Sequence, residues 1–174
     1  MLFLYHPSPI GELLLAGEGS SLSMIGFPAG KGRRDPHQDW TEDRSAFSAA
    51  RQQLDEYFEG RLRQFDIPLA PRGTEFQLAV WEALTRIPFG QTIAYRDLAI
   101  RIGNPSAVRA VGAANGANPI PIVVPCHRVI GADGSLTGFG GGLDTKRWLL
   151  RHEGAVGHTE RAEQGALPFA EGLQ

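Results

Sequence analysis

Short apolar runs at residues 2–6, 13–16 and 22–27 are separated by Pro-Ser-Pro and Gly-Glu-Gly-Ser-Ser, which are turn chemistry. The pattern predicts three short strands pairing antiparallel. Residues 28–42 are polar, rich in Gly and Pro, and read as a loop. From Phe47 the rhythm becomes helical, with Ala50, Leu54 and Tyr57-Phe58 on one stripe, Ser45 placed to cap the helix and Gly60 to end it. Residues 68–73 read as a linker.

Beyond it, Thr74-Glu75-Phe76-Gln77 is a capping box that opens a helix with the stripe Phe76, Val80, Ala83, Leu84 and Ile87, stopped by Pro88 and Gly90. A short helix follows, carrying Tyr95, Leu98, Ala99 and Ile102 on one side and ending at Gly103. Asn104 is placed to cap another helix with Pro105 at its first position. Two short helices joined by a tight Gly-Asn turn form a candidate helix-turn-helix. The second is built mostly of Ala and Gly, with Arg109 as its long side chain. Such slimness fits tight packing against another helix, or close approach to a nucleic-acid backbone.

Pro119, Pro121 and Pro125 predict an extended path that excludes helix. Residues 129–130 and 136–137 are expected to pair as a hairpin over 131–135. Residues 138–142, Gly-Phe-Gly-Gly-Gly, read as a flexible loop. Asp144 is placed to cap a last helix over 145–153, with Trp148, Leu149 and His152 facing inward and Gly154 at its end. The expected fold is α+β in two small domains: an antiparallel sheet with a helix over 1–70, and a mainly helical domain over 74–154 with an active-site loop. The tail, 155–174, reads as surface or disordered.

Composition narrows the function. The 174 residues suffice for two small domains, and no apolar run is long enough to span a bilayer. The opening residues lack the basic start and cleavage site of a signal peptide. A lone cysteine cannot form an internal disulfide, argues against a cysteine-based zinc site, and fits the cytoplasm. A net charge of −2 does not announce a nucleic-acid binder. Residues 91–128 nevertheless hold Arg96, Arg101, Arg109 and Arg128 against Asp97 alone.

The lone cysteine is Cys126, in Pro125-Cys126-His127-Arg128. A free thiol is mostly protonated at neutral pH, and an imidazole, cations or backbone amides are what favour the reactive thiolate. An isolated cysteine is more often a small buried hydrophobe, a reading that the flanking proline and basic pair weaken. A histidine base needs an orienting partner. Glu153 is the leading candidate, because a carboxylate at a helix C-terminus is disfavoured by the dipole unless something holds it.

The run from Asn118 to Gly131, Asn-Pro-Ile-Pro-Ile-Val-Val-Pro-Cys-His-Arg-Val-Ile-Gly, resembles the active-site signature of the O6-alkylguanine-DNA alkyltransferases, most strongly the bacterial form. Supporting segments stand in the same order: Thr92-Ile93-Ala94-Tyr95, Arg109-Ala110-Val111-Gly112, Gly141-Gly142-Leu143, and Lys146-Arg147-Trp148-Leu149-Leu150-Arg151-His152-Glu153-Gly154. The resemblance is close over residues 74–154 and in outline before that.

It implies a ribonuclease H-like first domain, a winged-helix-like second domain, and repair of O6-alkylguanine, with O4-alkylthymine as a further substrate. Cys126 would accept the alkyl group once and irreversibly. His127 would take its proton through a water, with Glu153 orienting His127 and Asn118 bracing the turn. Tyr95 would donate to guanine N3 and press on the 3′ phosphate. The carbonyls of Cys126 and Val129 would read the guanine amino group, the Gly140 amide would reach toward the alkylated oxygen, and Pro121 and Phe139 would wall the alkyl pocket. Arg109 would fill the gap left by a flipped nucleotide in minor-groove-bound double-stranded DNA, with Asn104 and Arg96 on phosphates. With it go the expectations of no dissociable cofactor and a monomer in solution. Some family members bind zinc in the first domain through Cys and His, but with Cys126 as the only cysteine no such metal site is expected here, and the short apolar runs give no membrane. Some family members have Tyr and Ser where Phe139 and Gly140 stand here. Three rivals remain: a lesion-flagging module, which would lack the acceptor cysteine; a thiol hydrolase, which would turn over; and a plain helix-turn-helix regulator.

Overall fold

The computed structural model describes residues 1–155, so the expected tail lies outside the described residues except for the buried Ala155. Strands β1 (Leu2–His6), β2 (Leu13–Glu18) and β3 (Ser21–Gly26) form the predicted antiparallel meander. The register of β2 and β3 shifts between Ala16 and Gly17, where a Cβ on Gly17 would strike the Ser21 carbonyl. The region expected to be loop contains a fourth strand, β4 (Thr41–Glu42), paired parallel to β1, so the sheet order is β3-β2-β1-β4. Only two residues pair, too few to leave a period in the sequence.

Helix α1 (Ser48–Phe58) buries Ala50, Leu54 and Tyr57 in the core shared with the sheet. Ser45 does not cap it. The Ser45 amide and hydroxyl both donate to Asp43, and the residue before the helix, Phe47, adopts a left-handed φ of 53°. His6 of β1 bonds to Asp55 of α1 at 2.7 Å and fixes the helix on the sheet.

The linker is not free chain. The Leu22 amide donates to Pro68 O and the Ala70 amide to Leu22 O, so it extends the β3 edge. Further along β3, the Ile25 amide donates to Pro119 O, tying the sheet to the segment that approaches Cys126.

Helix α2 (Glu75–Leu84) opens with the expected capping box: the Gln77 amide donates to Thr74 Oγ1, and the Thr74 amide to Gln77 Oε1. Its buried side is Val80, Trp81 and Leu84, continued by Ile87, whereas Phe76 and Ala83 are half-buried. Trp81, outside the predicted stripe, reaches across to α4 (Val108–Gly116) and donates from Nε1 to Ala114 O at 2.8 Å.

Helix α3 (Tyr95–Arg101) ends at Ile102-Gly103, Gly103 with a φ of 78°. Asn104 and Pro105 do not open α4. They form a turn closed by the Ala107 amide on Asn104 O, and the helix starts at Val108. Its inner side, Val111, Ala114 and Asn115, takes the packing reading of its small residues, while Arg109, Ala110 and Ala113 stay exposed.

Two expectations fail near Cys126. The proline-rich stretch is not wholly extended: Cys126–Arg128 form a 3-10 turn, with the Arg128 amide donating to Pro125 O. Residues 129–130 do not pair with 136–137. They form β6 (Val129–Ile130), parallel to β5 (Ile93–Ala94), and the 131–135 loop closes on itself through the Gly131 amide and Ser135 O. Helix α5 (Leu143–His152) starts after Gly142 rather than at Asp144, whose carboxylate instead pairs with Arg147. It buries Lys146, Leu149 and Leu150, with Trp148 and His152 half-buried, and His152 Nε2 donates to Tyr57 O of α1. Among the described residues no helix is long and apolar enough to cross a membrane.

Trp81→Phe removes the α2–α4 bond and leaves the Ala114 carbonyl short of a partner. The expected cost is about 1–3 kcal/mol, read from chemical denaturation. An unchanged midpoint would mean the bond carries no net stability.

Candidate active site

Residues 118–128 form a chain of tight turns. The Val124 amide donates to Ile120 O and the Cys126 amide to Val124 O. At their centre Ile122 is fully buried at a φ of 75°, a conformation costly for a β-branched residue. Asn118 spans the strained turn: its Nδ2 donates to Val124 O at 2.8 Å, and its Oδ1 accepts from the Ile120 amide at 3.0 Å. One amide side chain thus satisfies both ends of the turn.

Cys126 stands at the start of the 3-10 turn, 6% exposed, on a cleft of about 570 Å³. Tyr95, Asn118, Pro121, Phe139 and Gly140 line the same cleft. Burial pushes the thiol up from its ordinary value, opposed by Asn118 and by the nearby charge of Lys146. At rest the group is therefore a thiol that needs a base.

His127 and Glu153 lie behind it, both buried. His127 Nε2 donates to Glu153 Oε1 at 2.5 Å, which leaves Nδ1 as the bare lone pair. Nδ1 is buried with no partner among the described residues. Arg128 completes the group: its Nε and Nη2 clasp the Glu153 carboxylate at 2.8 and 2.9 Å, and Nη1 donates to Ile87 O at 2.7 Å. Burial alone would raise the Glu153 carboxyl, but His127 and Arg128 hold it at about 2. Burial lowers His127 despite the carboxylate, and Arg128 and Lys146 push the same way. The imidazole is therefore neutral and free to accept a proton at Nδ1.

Tyr95 opens α3 at the cleft, its hydroxyl bonded to Thr137 Oγ1 at 2.8 Å. Burial raises its pKa, which keeps the phenol protonated. Val129 is buried in β6, one residue beyond the 3-10 turn, and does not line the cleft. Arg109, Asn104 and Arg96 are exposed on the helix-turn-helix, apart from the cleft.

Two contributors escaped the sequence reading. Lys146, fully buried on α5, donates from Nζ to Val129 O at 2.6 Å and Thr137 O at 3.0 Å, and burial lowers it to about 8. Its place one helical turn before Leu150 and two before Glu153 was visible, but a lysine on a helix reads as solvent-facing by default. Asn115, buried on α4, approaches Cys126 O with Nδ2 at 3.5 Å, and its Oδ1 has no partner.

The chain matches known proteins in both halves. The model of the 6-O-methylguanine DNA methyltransferase DNA-binding domain matches residues 75–155, and that of the ribonuclease-like domain of the same enzyme matches residues 1–71. The chain is 51% identical to a methylated-DNA–protein-cysteine methyltransferase of Methanosarcina acetivorans, covering 89% of this chain and 99% of that one. It is 53% identical to the protein of the same name from Mycobacterium bovis, over 84% and 88%. The crystal structure of Mycobacterium tuberculosis OGT in complex with DNA superposes with a TM-score of 0.83 at 50% identity, over 93% of this chain and 95% of that one. Matched in both halves and close to half identical to these relatives over nearly their full length, the chain belongs to the 6-O-methylguanine DNA methyltransferase family.

Proposed function

We propose that this protein repairs DNA by direct reversal, moving the alkyl group of O6-alkylguanine in double-stranded DNA, and of O4-alkylthymine, onto Cys126. The observation that carries the reading is the lone cysteine on a cleft, backed by a buried neutral histidine whose only bonded nitrogen faces a carboxylate.

The thiol proton passes through a water to His127 Nδ1. The imidazolium is stabilised by Glu153, which is already ionised. The thiolate sulfur attacks the alkyl carbon in line, a sulfur–carbon bond forms and the carbon–O6 bond breaks. The electron pair enters the guanine ring, and N3 accepts a hydrogen bond from the Tyr95 hydroxyl once it leaves Thr137, which partly neutralises the departing base. The Cys126 and Val129 carbonyls read the exocyclic amine, the Gly140 amide faces the alkylated oxygen, and Pro121 and Phe139 flank the alkyl group. A stacked base denies the sulfur a straight approach, so the nucleotide must flip, at a cost of about a few kcal/mol. Arg109 takes its place in the stack, with Asn104 and Arg96 on flanking phosphates. Residues 1–70 support the site and 74–154 bind DNA and carry the chemistry. The thioether formed at Cys126 is not cleaved by water, even with His127 as a base beside it, so each molecule acts once, as a monomer in the cytoplasm, with no cofactor and no metal.

Mixing with duplex containing O6-methylguanine is expected to add one methyl to the Cys126 peptide by mass spectrometry and to stop at one equivalent. Cys126→Ser is expected to add none. An unmodified Cys126 peptide, or product accumulating beyond one equivalent, would sink the reading.

The electrostatics give a second test. Glu153 titrates near 2 in the fold against an ordinary 4.5, so its stabilisation is complete above the higher value and is lost as pH falls toward the lower. Glu153→Gln is expected to cost about 3–5 kcal/mol at neutral pH, since it leaves Arg128 buried without its carboxylate. The variant should also lose this part of the acid dependence. Denaturation midpoints across that pH range check both; parallel curves for the two proteins would refute the assignment.

A further inference from the structure

Part of the wall around Cys126 comes from the sheet-bearing half of the chain. Beyond β3, residues 27–34 curl back along the glycine-rich loop 138–142. The Phe27 amide donates to Gly32 O at 2.9 Å, and the Gly32 amide donates to Gly140 O at 2.7 Å. A Cβ on Gly32 would fall 2.8 Å from the Gly140 carbonyl carbon and 2.7 Å from the Phe27 ring. One on Gly30, which has a φ of 76°, would fall 2.9 Å from Gly140 O. The two backbones therefore lie closer than any side chain allows. The Phe27 and Phe139 rings meet edge to face at 5.3 Å, and both would touch a Cβ on Gly141 at 3.1 Å. Arg34 folds the curl shut by donating to Lys31 O and Arg33 O. Phe27, Gly32, Phe139 and Gly140 all line the cleft that holds Cys126.

A loop with glycine at four of five positions has little stiffness of its own, so its position must be imposed from outside. The imposed contact here is the Gly32–Gly140 clasp, backed by a Phe27 that is anchored in the core at 4% exposure. We infer that residues 27–34 form a second wall of the alkyl pocket and set the size of the alkyl group that Cys126 accepts. Phe139 can retreat from a larger group only as far as Phe27 permits. The Gly140 amide stays at the reacting oxygen only while Gly32 holds its carbonyl.

The inference rests on the transfer reading above, and a substrate pair separates the two. Transfer rates to the full-length protein are measured from the same duplex carrying O6-methylguanine or O6-benzylguanine, for the wild type, Phe27→Leu and Gly32→Ala. The first variant lets Phe139 move back, and the second prises Gly140 outward. Each is expected to raise the benzyl-to-methyl rate ratio about tenfold, the scale on which a pocket discriminates small changes in apolar bulk. A role in stability alone would lower both rates together and leave the ratio where it was. Ratios in both variants that fall, or rise by less than about threefold, would overturn the inference. A wild type that takes neither group would overturn the transfer reading instead.

Discussion

A carboxylate with 1% of its side chain exposed survives ionised in a protein interior only if its charge is met and its lone pairs are filled. Glu153 has both from two consecutive residues, and most of the catalytic half is arranged around that fact. Arg128 gives it a forked clasp and uses its remaining arm on Ile87 O at the end of the α2 segment. His127 gives it one N–H. For both side chains to reach one carboxylate, residues 126–128 must coil rather than extend, which is what the 3-10 turn achieves. The same coil puts Cys126 on the cleft while its two neighbours point inward. Burial outweighs the carboxylate at His127, Arg128 and Lys146 push the same way, and the imidazole stays neutral.

The two sides of the cleft are held by different means. The Cys126 side is rigid from within: a strained Ile122, short turns and the Asn118 bracket leave it little freedom. The glycine-rich side borrows its shape from residues 27–34, and Lys146 secures its base by bonding the carbonyls of Val129 and Thr137 together. The β5–β6 ladder links these to Tyr95 through the residue that precedes it.

What could be read from the sequence follows from what is local. Strands β1 to β3, the capping box at Thr74 and the ends at Gly60 and Gly103 each depend on a few neighbouring residues. The Cys126-centred set was legible through its resemblance to a family, and the structure brings Cys126, His127, Glu153, Asn118, Tyr95, Pro121, Phe139 and Gly140 around one cleft or directly behind it. Most departures from the sequence pattern trace to a partner distant in sequence. The pattern offers Val129 and Ile130 a nearby hairpin partner, but they pair with β5. Ser45 is the exception: placed to cap a helix, it is taken instead by a local partner, Asp43. Thr41 and Glu42 carry no pattern because β1 alone orders them. Lys146 and Trp81 were hidden because their polar atoms meet carbonyls from other segments, and carbonyls leave no trace in a sequence.

The outer edge of β3 carries one more consequence. Strand edges with open amides invite pairing with other chains, and proteins usually blunt them with charge, proline or a covering segment. Here the covering segments are the linker, through Leu22 with Pro68 and Ala70, and the approach to Cys126, through Ile25 with Pro119. The linker and the catalytic half together serve as the missing neighbour of an apolar sheet, and the sheet in turn keeps the catalytic turn in register. Parting the halves would bare a sticky edge on one piece and an unsupported turn on the other, so solubility and reactivity in this chain are protected by the same few backbone bonds.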